Sequence, residues 1–391
     1  MRITYFTDTF RIGGAEQFLA GLVAGVAQVD HQVTVVSPQV SVLELVAAAA
    51  PAVEVIQTGT DVWARTSRPA RMGAFARAVA GLPSALRRTR PDLLHISNGG
   101  YPGSELCRAA AVSARFARRP RCVFSVHSPP WQREVSRPHV QAVADRLVWR
   151  SVDAVHVATD FVERRLTELR AMPPALSRQI PYGVAEPAGT SAEGAARKAL
   201  LVPRDGILVG MISATGEPEK GHAVLAEALA RADSDIHAVI VGSHPGEQFS
   251  GQLAGLGLSR RVTLVGRVPA AELAASLRAI DVLVVPSTAY ESLPLVVLEA
   301  MAAGKPVFAS RLSGIPEAVT DGETGRLFTP GAVDELAALL REAHQAPESL
   351  LRMGRAGHER WRERFSLPAM TASMLSMYEE LADGPGGTRS T

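Results

Sequence analysis

Short apolar segments alternate with longer helical segments along the chain, and this alternation constrains the fold more than any other feature. The segment "DVLVVPS" at residues 281–287 is typical, because its β-branched run is short, continuous and ended by Pro and Ser. Such a run predicts a buried strand. Strands that alternate with helices form parallel sheets, since a helix is the usual crossover between parallel strands. The sequence therefore predicts an α/β fold of doubly wound parallel sheets.

The alternation occurs twice, which predicts two domains. A chain of 391 residues also exceeds the roughly 250–300 residues at which single cores stop growing. We predict strands at residues 2–7, 33–37, 92–97, 122–127 and 153–159, and then at 207–213, 236–242, 262–266, 281–285, 306–310 and 326–328. The predicted parts are a domain at 1–181, an Ala-, Gly-, Pro- and Ser-rich linker at 182–205, a domain at 206–366, a helix at 367–383 and a disordered tail at 384–391.

Composition narrows the class of protein. The apolar content of 47% and the charged content of 20% are globular values. No run approaches the ~18–20 apolar residues of a membrane span. The N-terminus enters a strand at once, "MRITYFT", without a signal peptide. Cys107 and Cys122 have no second thiol at metal-ligand spacing, which favours buried structural thiols. We therefore expect a cytoplasmic protein, and peripheral contact with a membrane is compatible with these features.

Charge is unevenly distributed. Residues 1–200 hold 24 Arg and Lys against 16 Asp and Glu, a net charge of +8, whereas residues 201–391 hold 17 against 23, a net charge of −6. The basic clusters of the first half are Arg87, Arg88 and Arg90, and Arg115, Arg118, Arg119 and Arg121. They suit a solvated face, an anionic acceptor or a membrane surface. Aromatic residues are not interleaved with them, so nucleic acid is not an expected partner.

The segment "ESLPLVVLEAMAAGKPVFAS" at residues 291–310 places two glutamates eight positions apart. It predicts a helix that begins near Ser292, with Ser292 as N-cap, and ends at Gly304. This helix is apolar nearly all round and should be buried. Glu299 lies inside it, and a buried charge needs a partner. An arginine could be that partner, and Glu291 could then be an ordinary surface residue.

A nucleotide diphosphate is the other partner that suits this spacing. Glu299 should lie roughly 7–8 Å in from the helix start. A phosphate at the helix N-terminus would be bound by free backbone N–H groups at Ser292 and Leu293. A ribose on that phosphate would reach Glu299, whose carboxylate accepts two hydrogen bonds from a diol. A sugar on the far phosphate would meet Glu291.

Loops at the carboxyl ends of other strands carry further candidates, because ligands of open parallel sheets bind at that edge. Gly13 and Gly14 open a helix, although they lack the G-x-G-x-x-G dinucleotide pattern. His127 ends a strand and could bind a sugar, act as a general base or be structural. Lys220 opens a helix, where a cation opposes the dipole, so a diphosphate would explain its position.

An acceptor site is expected beside these loops. Asn98, Gly99, Gly100 and Tyr101 follow the third predicted strand and could contact the acceptor. The turn Asp233-Ser234-Asp235 resembles a D-x-D metal motif but precedes a strand, at the edge opposite the site. No metal ion is therefore expected.

The motifs of the second half together resemble glycosyltransferase family 4, which are retaining enzymes of GT-B architecture. The resemblance is carried by "GEPEKGHAVLAEAL", "VTLVGRVPAAEL", "DVLVVPS", "ESLPLVVLEAMAAGKPVFAS" and "SGIPEAVTDGETGRLF", and by "IGGAEQFLAGLVAGV" and "HQVTVVSP" near the N-terminus. It implies two Rossmann-like domains with an interdomain cleft and a C-terminal helix that crosses back to the first domain. It also implies a UDP-sugar or another nucleotide sugar as donor substrate, with no cofactor.

The resemblance assigns roles to individual residues. The implied catalytic set is His127, Glu291 and Lys220, and Arg311 is a further candidate that the resemblance does not assign. In the implied donor site, Glu299 binds the ribose, and Gly266, Arg267 and Val268 contact the base. Lys220, Ser292 and Leu293 hold the diphosphate, and the loop of Gly13 and Gly14 closes over it from the other domain. Glu291 and His127 contact the sugar. The acceptor side would be Asn98, Tyr101 and His127. The anomeric configuration would be kept, with a phosphate oxygen taking the acceptor proton.

Two positions depart from the family pattern. An arginine usually precedes the Lys–Gly pair, but the candidate positions hold Ser213 and Ala214. Arg311, which follows a strand, could brace the diphosphate instead, and Arg11 is a second candidate. In addition, the usual Gly-Phe-Gly after the first glutamate is Ser292-Leu293-Pro294, which leaves the donor sugar open.

Other functions use related folds. A nucleotide-sugar epimerase would need proton-transfer groups at the sugar carbon, a phosphorylase would need a cofactor lysine, and a non-catalytic nucleotide-sugar binder would explain the missing arginine. The acceptor of a transferase could be a small molecule, a lipid-linked sugar or a glycan.

Overall fold

The computed structural model describes residues 1–9, 12–58, 68–115, 120–130, 138–187, 206–213 and 215–384. The chain divides into two compact units. The first comprises Met1–Gly183 with Leu367–Thr391, and the second comprises Val184–Ser366. The predicted linker lies outside the described residues from position 188 onward, and the predicted tail does so from position 385 onward.

The first unit is built on a parallel sheet covered by helices on both faces. Its described strands are β1 Arg2–Thr7, β2 Gln32–Ser37, β3 Glu54–Gln57, β4 Leu93–Asn98, β5 Arg121–Val126, β6 Ala154–Val157 and β7 Ser177–Gln179. Its first helices are α1 Gly14–Val26, α2 Val40–Ala49, α3 Arg68–Thr89, α4 Glu105–Ala114, α5 Pro138–Trp149 and α6 Asp160–Arg170. The strand order is β3-β2-β1-β4-β5-β6-β7, and every pair is parallel.

The second unit repeats this architecture. Its described strands are β8 Ile207–Ser213, β9 Ile236–Gly242, β10 Val262–Val265, β11 Val282–Val285, β12 Val307–Ser310 and β13 Gly325–Phe328. Its helices are α7 His222–Arg231, α8 Glu247–Gly255, α9 Ala270–Ala279, α10 Leu295–Ala302, α11 Ile315–Ala318, α12 Val333–Gln345 and α13 Pro347–Arg360. The order is β10-β9-β8-β11-β12-β13, again wholly parallel.

The central strands are buried on both faces, as the near-continuous apolar runs predicted. All four residues of β11 are buried, and so are all four of β12. The fold prediction of two doubly wound parallel sheets is therefore confirmed. Each sheet has a switch point where the strand order reverses, between β1 and β4 in the first unit and between β8 and β11 in the second.

The last helix, α14 Leu367–Asp383, belongs to the first unit although it follows the second in the chain, as predicted. It packs against α1 where Gly25 has no side chain, since a Cβ there would lie 2.3 Å from Oγ1 of Thr371. Tyr378 of α14 is fully buried, and its hydroxyl lies 3.3 Å from the hydroxyl of Tyr5 on β1. The first unit is thus completed by residues from the far end of the chain.

Candidate functional site

The second sheet brings two distant loops together at its switch point. Because β8 and β11 are neighbours, the loops at their carboxyl ends meet. The backbone N–H of Thr288 donates to the carbonyl of Glu219 over 2.8 Å, which joins the two loops directly. This is the place where open parallel sheets bind ligands.

Lys220 and Glu291 form an ion pair across these loops. The Nζ atom of Lys220 lies 2.7 Å from Oε1 of Glu291, and the hydroxyl of Ser287 donates to the same oxygen over 2.9 Å. The Lys220 side chain is 31% exposed and that of Glu291 is 16% exposed, so the pair borders solvent. The sequence predicted both residues at the site but in separate roles. Ser287 was missed, and its place two residues after β11 was the available signal.

Gly221 fixes the position of Lys220. Its φ angle is +78°, and a Cβ there would lie 1.9 Å from the carbonyl oxygen of Pro286. Only glycine fits such a left-handed backbone pressed against another loop. Lys220 itself ends a single 3₁₀ turn, Pro218–Lys220, and α7 follows directly. Sequence reasoning missed this role of Gly221.

Helix α10 begins later than predicted. Its first residue is Leu295, and Pro294 before it has extended backbone with ψ of 121°, so the prediction that Ser292 is the N-cap is wrong. The Ser292 hydroxyl is buried and has no hydrogen-bond partner among the described residues. Leu293 is 4% exposed, so any contact with a ligand would come from its backbone.

Glu299 is the fifth residue of α10, about 6 Å from the helix start at 1.5 Å per residue. Within the part of the chain that the structure describes, its carboxylate has neither an ion-pair nor a hydrogen-bond partner. Burial raises the pKa of Glu299 to about 6. The residue is half-buried, and a partly desolvated carboxylate without a protein partner is unfavourable, so this arrangement favours an external ligand over pairing with an arginine.

The predicted base-binding residues follow β10. The carbonyl of Gly266 accepts a hydrogen bond from the N–H of Gly242 over 3.1 Å. Nε of Arg267 lies 3.4 Å from the hydroxyl of Ser243, and the Arg267 side chain is exposed. The structure thus places Gly266, Arg267 and Val268 at the carboxyl edge of the sheet, and their contact with a base stays a prediction.

Arg311 follows β12 at the same edge but is already paired. Its guanidinium donates to Asp321 and is 53% exposed. Burial alone would raise the pKa of Asp321, but the N–H of Leu327 and the Arg311 guanidinium lower it below its usual value. Bracing of a diphosphate by Arg311 stays a prediction that requires this pair to open. Ser213 is buried and donates to the carbonyl of Thr215, while Ala214 and Arg11 lie outside the described residues.

In the first unit, His127 follows β5 and is held on both ring nitrogens. Nε2 lies 2.9 Å from the hydroxyl of Ser97, and Nδ1 lies 2.9 Å from the hydroxyl of Tyr182. The side chain is 5% exposed. Burial, with a smaller effect of His156, lowers the pKa of His127 to about 3. The ring is therefore neutral at physiological pH, and it would have to exchange a partner to bind a sugar.

A second series of buried polar side chains lies on the same sheet, and its hydrogen bonds are all donated in the same direction along the series. Nε2 of His156 lies 2.8 Å from the carbonyl of Ile180 and must carry the proton, so Nδ1 accepts from Ser125 over 2.7 Å. The Ser125 oxygen then accepts from Nε2 of His95 over 2.6 Å, and Nδ1 of His95 accepts from the hydroxyl of Tyr378. Burial lowers the pKa of His156 to about 4, which agrees with neutral rings. This series anchors α14.

At the predicted glycine loop, Gly13 and Gly14, the carboxylate of Glu16 occupies the backbone donor. The N–H of Gly13 donates to Oε2 of Glu16 over 2.7 Å, and Glu16 is 3% exposed. Burial raises the pKa of Glu16, and the hydrogen bond from Gly13 opposes that rise. Glu16 was missed, although a glutamate three residues after a helix cap is a known signal.

The predicted acceptor residues support the fold. The Asn98 amide accepts from the N–H of Ser104 over 3.1 Å and donates to the carbonyl of Gly100. Tyr101 is 2% exposed, and its hydroxyl donates to Asp145 over 3.0 Å. Both side chains are thus engaged inside the unit, and their contact with an acceptor stays a prediction.

Metal-binding geometry is not found in the described residues: no group of three or more His, Cys, Asp or Glu there could hold an ion. Asp233 and Asp235 precede β9, at the amino edge of the sheet. The carbonyl of Asp233 accepts from the guanidinium of Arg261 over 2.6 Å. The D-x-D look-alike is therefore far from the site edge of its own sheet.

Two family models match the chain in sequence. The model described as Glycosyltransferase Family 4 matches residues 12–186, and the model described as Glycosyl transferases group 1 matches residues 195–360. The matches follow the division into two units. This chain is a glycosyltransferase family 4 protein.

Curated relatives of this family 4 protein share about a third of the aligned residues. It is 32% identical over 273 residues to the MMP alpha-(1->4)-mannosyltransferase of Mycolicibacterium hassiacum, covering 69% of this chain and 61% of the relative. It is 33% identical over 267 residues to the D-inositol 3-phosphate glycosyltransferase of Segniliparus rotundus, covering 65% and 56%. It is 37% identical over 143 residues to the phosphatidyl-myo-inositol mannosyltransferase of Mycobacterium tuberculosis, covering 36% and 37%. The chain thus aligns with less than two thirds of each relative's length.

Solved structures agree on the fold of this family 4 protein. HepE from Anabaena in complex with UDP superposes with a TM-score of 0.82 at 22% identity, covering 97% of this chain and all of that one. WaaG, a glycosyltransferase involved in lipopolysaccharide biosynthesis, superposes with a TM-score of 0.70 at 16% identity, covering 98% of this chain and all of that one.

Proposed function

We propose that the protein is a retaining glycosyltransferase that moves a sugar from a nucleotide diphosphate donor, a UDP-sugar, to a hydroxyl group of its acceptor. The observation that carries this proposal is Glu299, a half-buried carboxylate with no partner among the described residues, about 6 Å along a helix at the edge of the second sheet. A ribose diol supplies the two donors that this carboxylate lacks.

The residues around the helix supply the rest of a donor site. Lys220 places a cation at the same sheet edge, and the N-terminus of α10 favours an anion there. Glu291 orients Lys220 and would meet the sugar. Support for the nucleotide comes from HepE, whose structures contain UDP and UDP-glucose. Curated relatives are named for mannosyl transfer and for inositol phosphate acceptors, which supports a hydroxyl acceptor.

The proposed reaction needs few groups from the protein. The bond between the anomeric carbon and the diphosphate oxygen breaks, and the acceptor oxygen bonds to the same face of that carbon. The acceptor proton passes to a phosphate oxygen. Lys220 and the amides before α10 stabilise the charge that develops on the diphosphate. His127 is neutral, so it would donate or accept a hydrogen bond rather than carry a charge.

A donor panel tests this function. The protein is incubated with UDP-, GDP- and ADP-sugars, with and without inositol phosphates and lipid-linked sugars as acceptors. We expect release of the nucleoside diphosphate to depend on one donor class and to rise with an acceptor, and early proton NMR spectra should show the donor's anomeric configuration in the product. An inverted anomer would reject retention, and interconversion of the donor sugar without release would favour an epimerase. Binding without release would favour a non-catalytic binder.

A further inference from the structure

Helix α5 carries an apolar stripe on its outward face, defined by Val140, Val143 and Leu147. Their side chains are 63%, 54% and 50% exposed. Positions i, i+3 and i+7 lie on one side of a helix, so the three form a continuous line about 10 Å long. Nine large apolar side chains are exposed in the described part of the chain, and no other helix there carries two of them.

A basic row lies directly beside the stripe. His139, Arg146 and Arg150 are exposed and fall within about 60° of Val143 when residues are placed at 100° intervals. Arg115, at the end of α4, donates to the carbonyl of Arg150 over 2.8 Å and adds a further cation. The acid of α5, Asp145, points inward to Tyr101 and is 4% exposed. The outward face of α5 is thus apolar and cationic.

We propose that this face of α5 docks the protein on an anionic lipid bilayer. An interfacial helix places apolar side chains at the headgroup boundary and cations beside it. No helix in the described residues is long and apolar enough to cross a membrane, so contact would be at the surface. A second copy of this chain suits the stripe less well, because stable protein interfaces bury about 800 Å² per partner. Three side chains and a row of cations offer less, and like charges would face each other.

The position of α5 would bring a docked membrane close to the predicted acceptor side. Strands β5 and β6 are parallel, so the helix between them runs antiparallel to both and starts at the carboxyl edge of the sheet. His127 lies at that same edge. A bilayer along α5 would present headgroups near the predicted acceptor side. This consequence rests on the proposed function, whereas the docking itself does not.

Vesicle co-sedimentation tests the docking, with vesicles of phosphatidylcholine alone or mixed with phosphatidylglycerol. We expect the wild-type protein to bind the mixed vesicles and to be released by salt, which screens charges. The double variant Arg146→Glu/Arg150→Glu should bind at least about tenfold more weakly, since each basic residue near such a surface contributes about fivefold. Val143→Ser/Leu147→Ser should also lose about tenfold. Leu351→Ser and Arg352→Glu, exposed on α13, should bind like wild type.

A fluorescent reporter keeps the test independent of variant stability. Cys107 and Cys122 are buried, so an environment-sensitive dye can be attached selectively to Leu147→Cys, or to Leu351→Cys as control. Only the first should shift its emission on mixed vesicles. The proposal is overturned if wild type does not bind mixed vesicles, if the stripe variants bind like wild type, or if the stripe variants instead dissociate an oligomer in solution. Vesicle binding requires no donor, so failure here is distinct from failure of the proposed transfer.

Discussion

The ammonium of Lys220 lies 2.7 Å from the carboxylate of Glu291, although 71 residues separate them in the chain. The pair joins the loop after β8 to the loop after β11 where the strand order of the second sheet reverses. Lys220 is therefore oriented by a carboxylate before any ligand arrives. A donor diphosphate would either share this cation with Glu291 or replace Glu291 as its partner.

A double-mutant cycle measures this coupling. Lys220→Met should lower the free energy of unfolding by about 1–3 kcal/mol, because it leaves a half-buried carboxylate bonded to Ser287 alone. Lys220→Met, Glu291→Gln and the double variant are compared by denaturant unfolding, and their effects should depart from additivity by roughly 0.5–3 kcal/mol. Lys220→Met should also lower turnover by about 10²–10³. Additive effects on stability would show that the ion pair contributes nothing to the fold.

Glu299→Gln should stabilise the ligand-free protein. Burial raises the pKa of Glu299 to about 6, so the folded state holds its proton more tightly than the unfolded state. Stability from this group is then fully present below pH ~4.5 and is lost as pH rises through about 6. Glutamine avoids the partly desolvated charge, so the variant should gain up to ~2 kcal/mol at pH 7.5 and little at pH 4.5.

Thermal unfolding between these pH values checks the Glu299 prediction. The exposed Glu348→Gln provides the control, since its carboxylate lies in water in the folded chain. A Glu299→Gln protein that is less stable than wild type at pH 7.5 would mean that the carboxylate has a stabilising partner.

The sequence predicted the central strands of the sheets better than the outermost strands. The central strands are continuous apolar runs, and this pattern alone was enough to place them within one or two residues. Strands β3 and β7 were missed because they lie at the sheet edge and are short and partly exposed, as in "EVIQ". Helix α8 was missed because Gly251 and Gly255 weaken its helical pattern. Helices α2 and α11 were also missed.

The sequence identified individual residues of the site but not the contacts between them. The residues after each strand identified Lys220, Glu291 and His127, because the carboxyl edge of a parallel sheet is defined by strand order alone. The ion pair between Lys220 and Glu291 depends on the path of two loops, which periodicity does not report. The predicted start of α10 was two residues early, since the N-cap is Pro294, in extended backbone, rather than Ser292.

Gly221→Ala should disrupt the site more than an ordinary turn glycine does. Gly221 and Gly331 have φ angles of +78° and +79°, so both substitutions carry the same backbone strain, roughly 1–2 kcal/mol. A Cβ at Gly221 would also meet the Pro286 carbonyl at 1.9 Å, whereas one at Gly331 meets nothing within 4 Å. We expect Gly221→Ala to lose clearly more stability and to weaken donor binding. Equal losses in denaturant unfolding for the two variants would contradict the close approach.

Arg311→Ala distinguishes a catalytic cation from a surface ion pair. If Arg311 leaves Asp321 to brace the diphosphate, turnover should fall by about 10²–10³ in Arg311→Ala. Asp321→Asn should then keep near-normal turnover, because asparagine keeps an oxygen for the N–H of Leu327 and removes the charge that holds Arg311 at rest. Lysine at position 311 should restore part of the rate, since a point charge lacks the fork geometry of arginine. Near-normal turnover in folded Arg311→Ala would leave Lys220 and the helix amides as the diphosphate site.

Calorimetric titration of UDP tests most directly whether the second unit holds a nucleotide through Glu299. Wild type, Glu299→Gln and Glu348→Gln are titrated at pH 7.5, where the Glu299 carboxylate is ionised. Loss of hydrogen bonds to a charged group costs about 1.5–3 kcal/mol, so Glu299→Gln should bind UDP roughly ten- to a hundredfold more weakly while Glu348→Gln binds like wild type. Equal dissociation constants for wild type and Glu299→Gln, or no binding of UDP to the wild-type protein, would contradict the account.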